Sequence, residues 1–191
     1  MKINERLKHR AELIASNTEQ LILDINSISK IISDSLSKKN KIMFCGNGGS
    51  AAESQHMAAE YCATLNHKNF RIGMPAISLT VDTSFITAWS NDFGYLKVFS
   101  RQVETLGNKN DVLVSYSTSG TSKNIHEAAK KASSLGIKVI LFTGENTDIP
   151  IKDFCSYIMH APSSKTALIQ EMHTIVGHEV CMQVEKKLFN F

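Results

Sequence analysis

The chain has 191 residues, 42% of them hydrophobic and 20% charged, with a formal net charge of +3. That length predicts one domain over 1–191 with a sizeable core, and so small and dispersed a positive charge argues against a nucleic-acid partner. No apolar run approaches the roughly 20 residues that cross a bilayer, and the charged start Met1–Arg6 lacks the apolar core of a signal peptide, so a cytoplasmic protein without a membrane partner is expected.

Residues 4–38 contain no Gly or Pro. Leu7, Ala11, Ile14, Thr18, Leu21, Ile25, Ile28 and Ile32 step by four and three, a heptad-like seam that predicts one long helix. Leu13, Ile22 and Ile31 widen the apolar face, which suits packing on its own domain together with oligomer contacts. After it, strand and helix alternate. Strands are predicted at 41–45, 76–79, 111–115, 138–142 and 157–160, and helices at 50–65, 83–89, 95–106, 122–135 and 164–189. Val112-Leu113-Val114 and Val139-Ile140-Leu141-Phe142 are continuous apolar runs, as parallel strands covered on both faces require. The pattern is that of a doubly wound α/β fold with about five parallel strands. Cys45, Cys62, Cys155 and Cys181 have no CxxC spacing and lie in apolar segments, so four buried free thiols are expected.

The run CGNGGSAAESQH, Cys45 to His56, joins the first predicted strand to a helix. A glycine-rich turn into a helix N-terminus is an anion site, usually for phosphate. Gly46, Gly48 and Gly49 can adopt positive φ, and Ser50 stands where an N-cap belongs. Ser117-Thr118-Ser119-Gly120-Thr121-Ser122 follows the third strand in the same way and could hold a phosphate with hydroxyls and backbone N–H groups alone. In a doubly wound sheet both turns fall at the carboxyl ends of the strands, where ligands bind.

His56 and Glu60 lie i, i+4 on one helix face, and Gln170 and His178 lie eight apart on the last helix. Two imidazoles, a carboxylate and an amide oxygen make a ligand set for a borderline metal such as zinc. The alternative is a polar pair on a helix surface, and the spacing does not bring the two helices together. Asn91-Asp92-Phe93-Gly94 reads as a type I turn or as two side chains for sugar hydroxyls.

Taken together, CGNGGSAAESQHMAAE, SNDFGY, FSRQVETLGNKNDVLVSYSTSGTS and IQEMHTIVGH resemble the sugar isomerase (SIS) superfamily, and within it the phosphoheptose isomerases, over about residues 5–189. The resemblance implies a flavodoxin-like SIS domain and a reversible ketose–aldose isomerisation of sedoheptulose 7-phosphate to D-glycero-D-manno-heptose 7-phosphate, on the way to lipopolysaccharide core. It implies a homotetramer with active sites between subunits and one zinc per site. Zinc would be held by His56, Glu60, Gln170 and His178, with Glu60 as base and His178 as acid. Ser117, Thr118, Ser119 and Ser122 would hold the phosphate, and Asn47, Gly48, Gly49, Ser50, Asn91 and Asp92 would line the sugar site. Two positions depart from the family: Ala63-Thr64-Leu65 stands where a glycine-arginine-tyrosine run is common, and Leu168 where an arginine precedes IQE. Both remove cations, which leaves a different phosphosugar as an option. A second SIS branch, a non-catalytic tetrameric partner of the replication initiator, typically lacks the glutamate and the second histidine that this chain keeps as Glu60 and His178.

Overall fold

The continuous apolar runs form strands buried on both faces. A computed structural model describes residues 2–190, so Met1 and Phe191 of the expected 1–191 domain lie outside the described residues. Strands β1 (Ile42–Gly46), β2 (Ala76–Ser78), β3 (Val112–Tyr116), β4 (Lys138–Thr143) and β5 (Tyr157–His160) make one parallel sheet. Its order is β2-β1-β3-β4-β5, the flavodoxin-like doubly wound arrangement with its switch point between β1 and β3. Register is set on β1, where Phe44 stands beside Ser78 on one side and Val114 on the other.

Alternation along the strands divides the core into two layers. Ile42, Phe44, Val114 and Ile140 face α2 (Thr18–Leu36), α3 (Gly49–Cys62) and α7 (Thr166–Phe189). Met43, Cys45, Leu113 and Val139 face α5 (Val98–Leu106) and α6 (Lys123–Ser134), with α4 (Thr83–Phe93) at the margin. No described helix is long and apolar enough to cross a membrane.

Each predicted strand is present to within a residue at either end, but the helices differ in four places. The single N-terminal helix is two, α1 (Ile3–Ser16) and α2, broken at Asn17, where φ is −115° and ψ is 10°. The Asn17 side chain donates to the Leu13 carbonyl at 2.8 Å, the local competition that disfavours asparagine inside a helix. The seam is therefore buried only from Leu21 onward, and α1 has no buried residue. Next, α3 stops at Cys62, three residues early, because Arg71 takes the carbonyls of Glu60 and Tyr61. The predicted 83–89 helix runs on to Phe93, so Asn91 and Asp92 form its last turn rather than a type I turn. Finally, the predicted 95–106 helix opens as a 3-10 turn over Tyr95–Lys97.

The four cysteines are free, as expected, but not all are buried. Cys62 is exposed where α3 ends, and its thiol donates to the Ala76 carbonyl at 3.0 Å.

Candidate active site

Two turns meet at the β1/β3 switch point. Of the three glycines in this turn, only Gly48 takes a left-handed φ, of 58°; Gly46 ends the strand and Gly49 begins α3. Gly48 is the N-cap of α3 and makes no side-chain cap, so Ser50 is not the cap its sequence position predicts. Ser50 instead lies buried in the first turn, its N–H on the Asn47 carbonyl at 3.0 Å.

The second turn is laced by its own hydroxyls. Ser117 Oγ donates to Ser122 Oγ at 3.2 Å, and Ser119 Oγ accepts from the Thr121 N–H and Oγ1–H at 3.2 and 2.9 Å. The Thr118 carbonyl accepts from Gly144 N–H at 3.1 Å, which ties the loop to the end of β4. Ser122 is the N-cap of α6, so the free end of that helix faces the loop.

The two turns are joined by an asparagine pair. Asn47 Nδ2 donates to Asn124 Oδ1 at 2.9 Å, and Asn124 Nδ2 donates back to Asn47 Oδ1 at 2.8 Å. Asn47 Oδ1 also accepts the Tyr95 hydroxyl at 3.0 Å. Tyr95 closes the SNDFGY run, while the only hint of Asn124 in the sequence is its place two residues after Ser122.

Helices α3 and α7 do meet, and Gly177 allows it: a Cβ there would stand 2.7 Å from Met57 Sδ. The contact brings His56, Glu60 and His178 together, with ligand atoms all within 4.8 Å of one another. His56 Nε2 and His178 Nε2 are 2.7 Å apart, so one ring donates and the other accepts, while His56 Nδ1 lies 3.8 Å from Glu60 Oε1. Two imidazoles and a carboxylate converging on one point fit a borderline divalent cation. Gln170, on the same helix as His178, packs against the glycine turn: a Cβ on Gly49 would be 2.6 Å from Gln170 Nε2. His56, Gly49, Ser50 and Gln170 line one cleft of about 430 Å³.

That cleft has two further titratable walls. Glu53 lies on α3 one turn before His56, and burial pushes its carboxyl up against the opposing pull of the Thr174 hydroxyl and of His56 and His178. His173 is buried against Tyr116 and Phe142, its Nε2 3.2 Å from the Thr143 carbonyl, and burial lowers its pKa to about 4, so the ring is neutral. Its i+3 spacing from Gln170 was the available signal for His173, and a position one turn before His56 the signal for Glu53.

Asn91 and Asp92 stand apart. Asn91 Nδ2 donates to Asp92 Oδ1 at 2.9 Å, both are exposed, and neither bonds another of the residues above. The positions that lack family arginines also differ from each other: Thr64 is half-buried with its hydroxyl on Asn66 O, and Leu168 is buried. An arginine does reach the end of α3 from elsewhere. Arg71 is fully buried, pairs with Glu185 at 2.7 Å and donates to the Glu60, Tyr61 and Ile72 carbonyls at 2.9–3.0 Å.

A larger groove of about 690 Å³ lies between α4, α5 and α6, away from the switch point. Of its two acids, Glu104 is paired with Arg101 and Lys131 and Glu127 lies 3.7 Å from His126 Nδ1.

The SIS domain model matches residues 7–144. A phosphoheptose isomerase of Akkermansia muciniphila is 44% identical over 98% of this chain and 99% of its own length. The chain belongs to the phosphoheptose isomerase family of SIS-domain proteins. One from Aliarcobacter butzleri is also 44% identical, over 97% of this chain and 96% of its own. Among solved structures, a phosphoheptose isomerase from Francisella tularensis superposes with a TM-score of 0.90 at 30% identity over 96% of both chains. That from Neisseria gonorrhoeae gives 0.84 at 36% identity over 97% of this chain and all of the other. Membership in this family favours the catalytic reading over the non-catalytic SIS branch.

Proposed function

We propose that this protein interconverts sedoheptulose 7-phosphate and D-glycero-D-manno-heptose 7-phosphate. The convergence of His56, Glu60 and His178 near the glycine turn, which the Asn47–Asn124 pair joins to the Ser117–Ser122 loop, carries the reading. Family membership supplies the substrate class.

The loop Ser117–Ser122 and the start of α6 hold the phosphate through Ser117, Thr118, Ser119 and Ser122, using neutral donors and the helix dipole. The turn Asn47–Ser50 lines the sugar end, with Asn91 and Asp92 approaching it in the assembled site. Glu60 removes a proton from C1 of the ketose. The electron pair forms the C1=C2 bond, and the C2 oxygen takes a proton from His178. In the enediol, the C1 hydroxyl returns a proton to His178, the C1 carbonyl forms, and Glu60 delivers its proton to C2. His56, Glu60, Gln170 and His178 would hold zinc, which when bound supplies Lewis-acid polarisation of the sugar carbonyl.

Leu7 and Ile3 on α1 and Leu23 on α2 are exposed apolar residues, which support self-association through these helices; the homotetramer with active sites between subunits follows from the family resemblance. The same reading places the enzyme in the cytoplasm, supplying heptose for lipopolysaccharide core.

A proton NMR time course of the purified, zinc-supplemented protein with sedoheptulose 7-phosphate tests this. New aldose anomeric signals are expected. No conversion by folded protein would sink the heptose assignment and turn attention to other phosphosugars.

A further inference from the structure

One charged group beside the site has no part in the reaction as written. Glu53 Oε2 accepts the Thr174 hydroxyl from α7 at 2.7 Å, four residues before His178. Its Oε1 is buried with no hydrogen-bond partner. That oxygen lies 3.5 Å from where a Cβ on Gly177 would stand, beside His178 in the chain. Glu53 itself precedes His56 by one turn of α3. An unpartnered buried carboxylate oxygen destabilises a fold, and natural proteins keep few of them. Glu53 is not a further ligand, because the convergent group comprises His56, Glu60 and His178. What it adds in its ionised form is negative charge, held in place by Thr174 and within electrostatic reach of His56 and His178; a cation there would favour that form against the burial that pushes the carboxyl up. In such a setting charge acts over several ångströms without direct contact.

We propose that Glu53 is a positioning residue of the metal site: clamped by Thr174, its inward oxygen completes the negative potential around His56, Glu60 and His178 and raises cation affinity at the expense of metal-free stability. This rests on the metal-site reading above. It accounts for a carboxylate that bonds Thr174 through one oxygen and leaves the other buried and bare beside Gly177.

Glu53→Gln keeps the size and the acceptor for Thr174 and removes the charge. Zinc affinity is measured by competition with a chromophoric chelator, and the thermal midpoint is measured on metal-free protein. The Kd for zinc is expected to rise about 10–100-fold, while the metal-free midpoint holds or rises by about 2–4 °C. Glu179→Gln, an exposed change next to His178, controls for net charge and should leave zinc binding near wild type. Unchanged zinc affinity in Glu53→Gln overturns the proposal, and a lower midpoint with unchanged affinity assigns Glu53 to packing alone. Equal weakening by Glu179→Gln also overturns it, as a net-charge effect. Wild-type protein that binds no zinc removes the metal reading and the proposal with it.

Discussion

Helices α3 and α7 meet at two polar points, and the two are built on opposite terms. At one, Arg71 and Glu185 are buried and nearly every polar atom has a partner: Glu185 Oε1 takes Arg71 and the Leu65 N–H, and Arg71 places three more N–H groups on carbonyls. At the other, His56 is exposed, Glu60 and His178 are half-buried, His56 and His178 bond chiefly each other, and Glu53 nearby has a bare oxygen. The first arrangement is saturated and can only hold the helices. The second retains unused donor and acceptor capacity, which the proposed exchange of ligands and protons would use. The saturated point grips the C-terminal end of α3 at the Glu60 carbonyl itself, so it also fixes the backbone from which the proposed base projects.

The sharpest way to separate the two is to change one charge in each. Glu60→Gln should cut turnover by about 10²- to 10⁴-fold while leaving the thermal midpoint and oligomeric state unchanged. Near-normal activity in that variant would remove Glu60 as the base. Arg71→Met should do the reverse in kind. It strands Glu185 as an unpaired buried charge and should cost about 3–5 kcal/mol, a fall in midpoint on the order of 10 °C, with activity lost only in proportion to unfolding. A stable but inactive Arg71→Met would mean that the saturated point serves the chemistry after all.

A third polar contact of α7 tests the contrast through pH. His173 is bonded yet titratable, with a pKa lowered by burial from 6.5 to about 4. Between those values the unfolded chain binds a proton that the folded chain refuses, so stability falls as pH drops through this window. The loss should total about 3 kcal/mol at 1.36 kcal/mol per unit. Denaturant titrations from pH 7 to pH 4 should show that slope, flattened in His173→Gln. A parallel slope in the variant would assign acid sensitivity to other groups.

Much of this was legible before the fold was known. The strands announced themselves because two-sided burial forces unbroken apolar runs, as at Val139–Phe142. Both turns at the carboxyl ends of the strands, and the His56–Glu60 pair, followed from local spacing. What local spacing could not supply was anything depending on two distant elements meeting. Whether His178 joins His56 depends on Gly177 admitting Met57, and the role of Arg71 depends on Glu185 lying 114 positions away. The break at Asn17 was missed because the heptad pattern passes straight through it, while a single side-chain bond to Leu13 redirects the chain. Nor does spacing show that Asn47, expected to line the sugar site, has its amide oxygen filled by Asn124 and Tyr95, so that its side chain also braces the turn.

That brace yields the smallest and most specific effect. If the Asn47–Asn124 pair sets the distance between the sugar turn and the phosphate loop, Asn124→Ala should raise KM for the sugar phosphate about tenfold, worth about 1.4 kcal/mol, with little change in kcat. The Ala variant leaves Asn47 Nδ2 without its acceptor and releases one of the two donors on Oδ1. Combining it with Asn47→Ala should add little further, because residues acting through one contact are not additive. Full additivity in that cycle would mean that each asparagine acts alone, and the two turns would then be independent halves of the site rather than one rigid frame.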